Sequence, residues 1–238
     1  MNDFFLYIAY LIFALVPVFA WLFFYFKKDA HPEPKKMILK IFVLGMVGAC
    51  LVAVFEIAVL SFFSGTSLLF AIFESFLLIS LIEESAKYAV VRIFIYNSPV
   101  FDEPLDIMLY MVVSALGFAA SENIILFFSE GQLYSVGAAA MFSLLRFVGA
   151  VFLHTLASGT LGFFIALSFC SGKYKKAIFF SGFFIAVVLH GFYDVAIAQF
   201  TGFWEFAIPI AIIVVSAIFT TYGFVRLRKM KGVCKISA

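Results

Sequence analysis

Charged residues are scarce in this chain of 238 residues, since only 13% are Asp, Glu, Lys or Arg whereas 65% are hydrophobic. Soluble domains usually contain about 25% charged and about 45–50% apolar residues. A soluble core of this size cannot bury so much apolar surface, which excludes a soluble fold. The lipid bilayer must therefore be the solvent for most of the chain.

Other features that the sequence lacks narrow the range of functions. The three cysteines, Cys50, Cys170 and Cys234, have no CxxC or CxH spacing of the kind found in cysteine metal and redox sites. The basic residues form no patch interleaved with aromatic residues, so we expect no nucleic-acid partner. The stretches between the apolar segments are too short to form a soluble domain. We therefore expect the activity to lie within the membrane or at its surface.

Seven apolar segments of about 20 residues or more are long enough to cross a hydrocarbon core of about 30 Å. The sequence therefore predicts an all-α polytopic bundle of about seven transmembrane helices, in a single integral membrane domain over residues 1–238. The third and fifth segments are the longest, and we expect them to be tilted or to extend past the interface. The segments are roughly Phe4–Phe26, Met37–Leu60, Leu68–Tyr96, Asp106–Phe128, Ala138–Cys170, Ala177–Gln199 and Phe206–Leu227.

The basic residues predict how the chain is oriented. All 16 Lys and Arg residues except Lys87, Arg92 and Arg146 lie at alternate ends of the segments, in or beside residues 27–40, 171–176 and 226–238. The alternate loops, residues 61–67, 129–137 and 201–205, and the N-terminus contain none. The loop at 97–105 also contains none, but acidic residues count little in this rule and Arg92 lies near it, so we expect it to be cytoplasmic. Because cytoplasmic loops carry an excess of Lys and Arg, we expect the N-terminus outside the cell and the C-terminus in the cytoplasm.

Ionisable side chains interrupt these apolar segments, although each costs at least about 2.5–3.5 kcal/mol within a span on insertion scales. We expect structural roles for Glu56 and Glu74, which lie near span ends, and for Arg146, which can pair with an acidic residue. The remaining ionisable residues are predicted to lie deeper, where they could share one polar cavity. They are Glu83, Glu84, Lys87, Glu122, His154, His190 and Asp194.

The third span carries two adjacent carboxylates and one ammonium. Glu83 and Lys87 are four residues apart and Glu84 and Lys87 are three apart, so the three side chains are neighbours on a helix. A self-neutralising ion cluster that locks helix packing needs only one Glu–Lys pair. The additional carboxylate favours a functional role, and a buried carboxylate suits general-base catalysis.

The fourth, fifth and sixth spans each contribute further polar groups. Glu122 follows a stretch of small residues that lets helices approach closely, and it could carry a proton, bind a cation or form a structural hydrogen bond. His154 and His190 are predicted near the middle of their spans. Asp194 lies one turn after His190, where a carboxylate can orient the imidazole and increase its basicity.

The order of these motifs resembles that of the PrsW family of intramembrane proteases. EESAK at Glu83–Lys87 matches the EExxK motif of that family, and FDEPLDIMLY at Phe101–Tyr110 followed by GFAASEN at Gly117–Asn123 matches its FxxxEN segment. His154 matches the third motif, and HGFYD at His190–Asp194 matches the fourth, HxxxD. The resemblance covers about residues 80 to 195.

This resemblance implies an integral membrane protein of the prokaryotic cell membrane, with a catalytic core at about residues 68–199. It implies hydrolysis of membrane-anchored proteins such as an anti-sigma factor. The family is distantly similar to the CAAX and bacteriocin-processing proteases, in which a histidine stands at the position of Glu122. That difference separates the expected mechanism from theirs.

We hypothesise that an activated water hydrolyses the peptide bond, with Glu83 as the general base, held in place by Glu84 and Lys87. A divalent metal, expected to be zinc, would be bound by His154 and His190.

Glu122 is the expected third ligand, which leaves an open position for water, and Asp194 would orient His190. In a metal-free alternative, Glu83 activates water directly and His190 stabilises the oxyanion.

Two other classes of function use buried ionisable residues. A proton-coupled or ion-coupled transporter would place Glu, His and Asp along an ion path. The sequence shows no inverted repeat and no paired broken helices, which argues against a transporter. A non-catalytic scaffold that binds membrane partners is the second alternative.

Overall fold

The structure is a computed structural model that describes residues 3–27, 32–63, 65, 67–130 and 135–230. Over these residues it contains helices and no strand, which confirms the predicted all-α fold. A π-helical segment, Glu74–Ser80, and a 3₁₀ turn, Gly172–Tyr174, interrupt the run of α-helices. The α-helices are α1 (Asp3–Phe26), α2 (Lys35–Leu60), α3 (Leu68–Phe73), α4 (Leu81–Phe94), α5 (Pro104–Glu130), α6 (Val136–Val148), α7 (Ala150–Phe169), α8 (Lys175–Gln199) and α9 (Phe203–Lys229).

Within the described ranges, six helical stretches are long and apolar enough to cross a membrane. They are Phe4–Phe26, Lys35–Leu60, Pro104–Ser129, Val136–Phe169, Gly172–Gln199 and Phe203–Lys229. The helical run from α3 through α4 matches the third predicted span, but its acidic and basic residues make it less apolar than the others. The structure thus agrees with about seven spans, while the orientation of the termini stays a prediction.

Helix α5 is the central helix of the bundle. It is buried along most of its length and packs against α1, α2, α4 and α7. Glycines allow the backbones of α2 and α5 to touch, because a Cβ atom at Gly45 would overlap the carbonyl oxygen of Ser114 and one at Gly117 would overlap that of Phe42. This close crossing fixes the part of α5 that carries Glu122.

The π-helical segment lies directly before the paired glutamates. The Ser80 hydroxyl donates a hydrogen bond to the carbonyl oxygen of Ser75 at 2.5 Å. Helix α8 packs closely here, since a Cβ atom at Gly191 would lie 2.8 Å from the Phe76 ring. Because a π-helical turn shifts the register of the residues that follow it, this segment helps to set the face that α4 presents to the bundle.

The fifth predicted span is interrupted at Gly149, which separates α6 from α7. The indole N–H of Trp21 donates a hydrogen bond to the carbonyl oxygen of Phe147 at 2.8 Å, which satisfies one acceptor at the break. The Trp21 ring also stacks on Phe152 with a centroid distance of 3.8 Å. The extra length of this span is therefore explained by a broken helix that α1 supports.

Candidate active site

The structure brings together all the side chains that the sequence predicts for the site. They come from four helices that pack around one polar cluster near the middle of the bundle. Helix α4 provides Glu83, Glu84 and Lys87, α5 provides Glu122, α7 provides His154, and α8 provides His190 and Asp194. Residues separated by more than 100 positions in the chain thus form one site.

Lys87 lies at the centre of the cluster and is fully buried. Its ammonium Nζ donates to Glu83 Oε2 at 3.0 Å and to Glu84 Oε1 at 2.8 Å. The same Nζ lies 2.8 Å from Nδ1 of His154 and 4.5 Å from the centre of the Phe118 ring. A buried ammonium is stable only when it is paired in this way, and the predicted grouping on α4 is present.

Glu84 is the most completely enclosed carboxylate of the cluster. Its Oε2 accepts a hydrogen bond from the Ser158 hydroxyl at 2.7 Å. Its Oε1 accepts from Lys87 and lies 3.1 Å from Nδ1 of His190. Three helices therefore hold this carboxylate, which leaves it little freedom to exchange protons with a substrate.

His190 presents its two ring nitrogens to different carboxylates. Nδ1 faces Glu84, and Nε2 lies 3.7 Å from Glu83 Oε2 and 3.5 Å from Asp194 Oδ2. A carboxylate beside Nδ1 favours the tautomer with its proton there, which leaves the Nε2 lone pair directed towards Glu83 and Asp194. Asp194 Oδ2 is buried and accepts no hydrogen bond from any described residue.

His154 is engaged at both ring nitrogens. Because an ammonium only donates, Nδ1 accepts from Lys87, so Nε2 carries the proton and donates to Glu122 Oε2 at 2.8 Å. The His154 ring stands nearly perpendicular to that of His190, with their centroids 4.9 Å apart. The two imidazoles thus lie side by side next to Glu83 on α4.

Across the described part of the chain, one set of three His and acidic residues could hold a metal ion. Glu83, His154 and His190 each offer a ligand atom, and these atoms all lie within 4.8 Å of one another. Two imidazoles and one carboxylate are the donors of many catalytic zinc sites. Asp194 Oδ2, which accepts no hydrogen bond from any described residue, lies 3.5 Å from Nε2 of His190, and the donor set fits a divalent metal. Metal binding requires that His154 release either Lys87 or Glu122.

Glu122 is also linked to a neighbouring polar network. Its Oε2 lies 3.4 Å from Nη2 of Arg146, and the Nε–H of Arg146 donates to Oδ1 of Asn123. The side-chain amide of Asn123 in turn donates to the carbonyl oxygen of Ala14 at 2.8 Å. Arg146 therefore has the acidic partner expected from the sequence, and the pair ties α6 to α5.

A cavity of about 530 Å³ opens beside the cluster. Its lining includes the site residues Glu83, Glu122, His154, His190 and Asp194. It also includes Glu56, Glu74 and Arg146, for which the sequence analysis expects structural roles. This volume is large enough to admit a short peptide segment to the buried residues.

Two residues with polar contacts at the site were not predicted from the sequence. They are Ser158, which donates to Glu84, and Asn123, which contacts Arg146. Ser158 lies four residues after His154 and therefore on the same face of α7, a spacing that could have identified it. The partner of Asn123 is a backbone carbonyl on α1, which no spacing within α5 can reveal.

Comparisons with known proteins show which proteins the chain is similar to. The family described as PrsW family intramembrane metalloprotease matches residues 33–222. The chain is 30% identical over 186 residues to Protease PrsW of Clostridioides difficile, covering 76% of each protein. It is 28% identical over 199 residues to Protease PrsW of Oceanobacillus iheyensis, covering 84% of this chain and 87% of that protein. No solved structure matches the chain significantly.

Proposed function

Because this chain belongs to the PrsW family of intramembrane proteases, we propose that its buried Glu–His cluster hydrolyses peptide bonds in membrane-anchored proteins, with the help of zinc. The observation that carries the proposal is the group of Glu83, His154 and His190, whose ligand atoms lie within 4.8 Å of one another beside a cavity. Residues 68–199, which contain the whole cluster, remain the proposed catalytic core.

In this proposal His154, His190 and Glu83 would hold the metal. The distances from Glu83 Oε2 to His154 Nδ1, 3.8 Å, and to His190 Nε2, 3.7 Å, support Glu83 as the third ligand. Bound zinc would lower the pKa of a water molecule and polarise the scissile carbonyl. The Nδ1–H of His190 donates to Glu84, so that the lone pair of Nε2 would be free to bind the metal.

Glu122 then takes the proton from the attacking water at its Oε2. It is the most exposed of the cluster's glutamates, with 22% of its side chain accessible, and it lines the cavity. Arg146 and the Nε2–H of His154 hold this oxygen in place. The proton can pass from Glu122 to the leaving amine as the peptide bond breaks.

The sequence-based assignment exchanges two of these roles, with Glu122 as the third ligand and Glu83 as the base. The 2.8 Å distance between Glu122 Oε2 and His154 Nε2 supports that alternative. The metal content of the purified variants distinguishes the two assignments of Glu83 and Glu122. The first scheme predicts that Glu83→Gln loses the bound metal and Glu122→Gln keeps it, whereas the second predicts the opposite.

In the structure both ring nitrogens of His154 already have hydrogen-bond partners, Lys87 and Glu122, which supports a metal-free mechanism. Glu83 would then activate the water directly, and His190 would stabilise the oxyanion. Chelation decides between the mechanisms. The zinc proposal predicts that a strong chelator abolishes cleavage and that added zinc restores it, and full activity of a metal-free preparation would refute it.

The proposed substrate is a membrane-anchored protein of the anti-sigma-factor kind. The family resemblance and the position of the cluster within membrane-spanning helices support this substrate class. A substrate-trapping pull-down tests it. We expect Glu83→Gln, which both ligand schemes predict to be inactive, to retain membrane proteins that the active enzyme cuts. Retained proteins that the wild-type enzyme leaves intact would contradict the proposed activity.

A further inference from the structure

A second cavity, of about 430 Å³, lies in the groove between α6, α8 and α9. We call it the α6–α9 groove, and its lining is mainly apolar. Leu145, Phe206 and Ile210 are among the lining residues, and more than half of each side chain is exposed. Because these side chains belong to membrane-spanning helices, the groove faces the hydrocarbon region of the bilayer.

This groove shares a wall with the catalytic cavity. Arg146, Ala150, Tyr193 and Ile197 line both volumes. Three further cavities, lined mainly by parts of α1, α2, α7 and α9, share no lining residue with the catalytic cavity. The α6–α9 groove is therefore separated from the catalytic cavity by a single layer of shared residues.

The wall stands at the break between α6 and α7, where the backbone offers little bulk. A Cβ atom at Gly149 would overlap the hydroxyl of Tyr193, so this hydroxyl packs directly on the glycine backbone. Ala150 adds only a methyl group. The barrier thus consists mainly of the side chains of Arg146, Tyr193 and Ile197, and side chains can change rotamer without moving a helix.

The polar groups of the wall indicate what passes through it. Arg146 reaches Glu122, whose Oε2 contacts His154, so a segment that crosses the wall arrives beside the proposed catalytic groups. A peptide that unwinds in the bilayer must find new partners for its backbone N–H and C=O groups. The guanidinium of Arg146 and the hydroxyl of Tyr193 can supply such partners. A lipid acyl chain has no polar groups that could form hydrogen bonds with Arg146 or Tyr193.

We propose that the α6–α9 groove binds the membrane-spanning helix of the substrate, and that Arg146 and Tyr193 form the gate through which its scissile segment reaches the catalytic cavity. This inference rests on the proposed function, because it needs a substrate that is anchored in the same bilayer. Apolar side chains of the substrate helix fill the groove, while the unwound segment hydrogen-bonds to the gate.

The test uses a membrane protein that the wild-type enzyme is shown to cut after the trapping experiment. A photo-crosslinking amino acid is placed at Ile210, within the groove, in the inactive Glu83→Gln protein. The matched control is Val215 on the same helix, which is similarly exposed, 63% against 58%, and lines neither the groove nor the catalytic cavity. We expect the substrate to crosslink from position 210 and not from position 215. Equal crosslinking from both positions, or crosslinks to lipid alone, would overturn the proposal.

A second measurement compares cleavage by Ile210→Trp and Val215→Trp. Filling the groove should raise the substrate concentration needed for half-maximal cleavage about tenfold or more, with unchanged metal content, whereas Val215→Trp should behave as wild type. Unchanged cleavage by Ile210→Trp would refute binding of the substrate helix in the groove, and it would leave the proposed proteolytic function intact. If the wild-type enzyme cuts none of the trapped proteins, the proposed function fails and the groove proposal fails with it.

Discussion

The two adjacent glutamates have different surroundings, although they differ by one position in the chain. Glu84 is fully buried, and both of its oxygens contact groups from α4, α7 or α8. Glu83 contacts Lys87 and faces both imidazoles across a gap of nearly 4 Å. This difference suits Glu84 to positioning His190 and suits Glu83 to the chemistry itself.

Ser158 is predicted to position Glu84. Ser158→Ala removes a hydrogen bond to a buried carboxylate, and we expect it to lower the free energy of unfolding by about 1–3 kcal/mol. Looser support of His190 should lower the cleavage rate about 10–100-fold. Denaturant titration in mixed micelles and a cleavage assay measure the two effects.

Ser216 provides the matched control, because its hydroxyl is buried and has no hydrogen-bond partner among the described residues. Ser216→Ala removes a buried hydroxyl that has no partner, so it should leave stability unchanged or raise it by up to about 1–3 kcal/mol. If the two alanine variants behaved alike, Ser158 would have no positioning role.

Contacts within one helix could be predicted from the sequence, while those between helices could not. The grouping of Glu83 and Glu84 with Lys87 follows from spacings of four and three residues, which helix geometry converts directly into proximity. The same logic pairs Asp194 with His190. The structure adds the shorter contact of His190 with Glu84, which belongs to another helix and depends on how α4 and α8 pack.

At the level of the elements, the close crossing of α2 and α5 fixes the position of α5 and therefore that of Glu122 relative to His154. Gly45 approaches the backbone of Ser114 so closely that a methyl group has no space. A backbone atom cannot move aside as a flexible side chain would, so a larger residue must push the helices apart. Movement of α5 displaces Glu122 from His154.

Gly45→Ala should therefore destabilise the protein by about 1–3 kcal/mol, because of overpacking against a backbone, and should reduce cleavage. Gly48→Ala is the matched control on the same helix, since a Cβ atom there meets nothing within 4 Å. It should leave stability unchanged or raise it by up to about 1 kcal/mol through better helix propensity. Thermal unfolding in detergent compares the two variants, and equal stability would show that the crossing is loose.

Hydropathy predicted where the helices lie but not how two of them are interrupted. The break at Gly149 lies within a continuous apolar segment, and the group that satisfies Phe147 is the indole of Trp21, on α1. No residue near position 149 in the sequence indicates that Trp21 is this partner. The π-helical segment Glu74–Ser80 is equally hidden, because it continues the apolar run of the third span.

At the scale of the whole molecule, the distribution of basic residues predicts which face of the membrane each end occupies. Fusions of a periplasmic reporter to the N-terminus, and of a cytoplasmic reporter to the C-terminus, should both be active. Reporters that are active only in the reverse arrangement would invert the topology. The cavity beside the cluster is lined by Glu56 and Gln199, near the predicted outer ends of their helices, and it would then lie in the cytoplasmic half of the membrane instead of the outer half.

The central claim is that the buried cluster hydrolyses peptide bonds, and cleavage in proteoliposomes tests it most directly. Wild-type enzyme, Glu83→Gln and Glu74→Gln are each reconstituted with a trapped membrane-anchored substrate, and the products are identified by mass spectrometry. Glu74 is the control because it lines the same cavity outside the cluster. We expect one defined cut by the wild-type enzyme and by Glu74→Gln, and none by Glu83→Gln. Undiminished cleavage by Glu83→Gln would contradict the central claim.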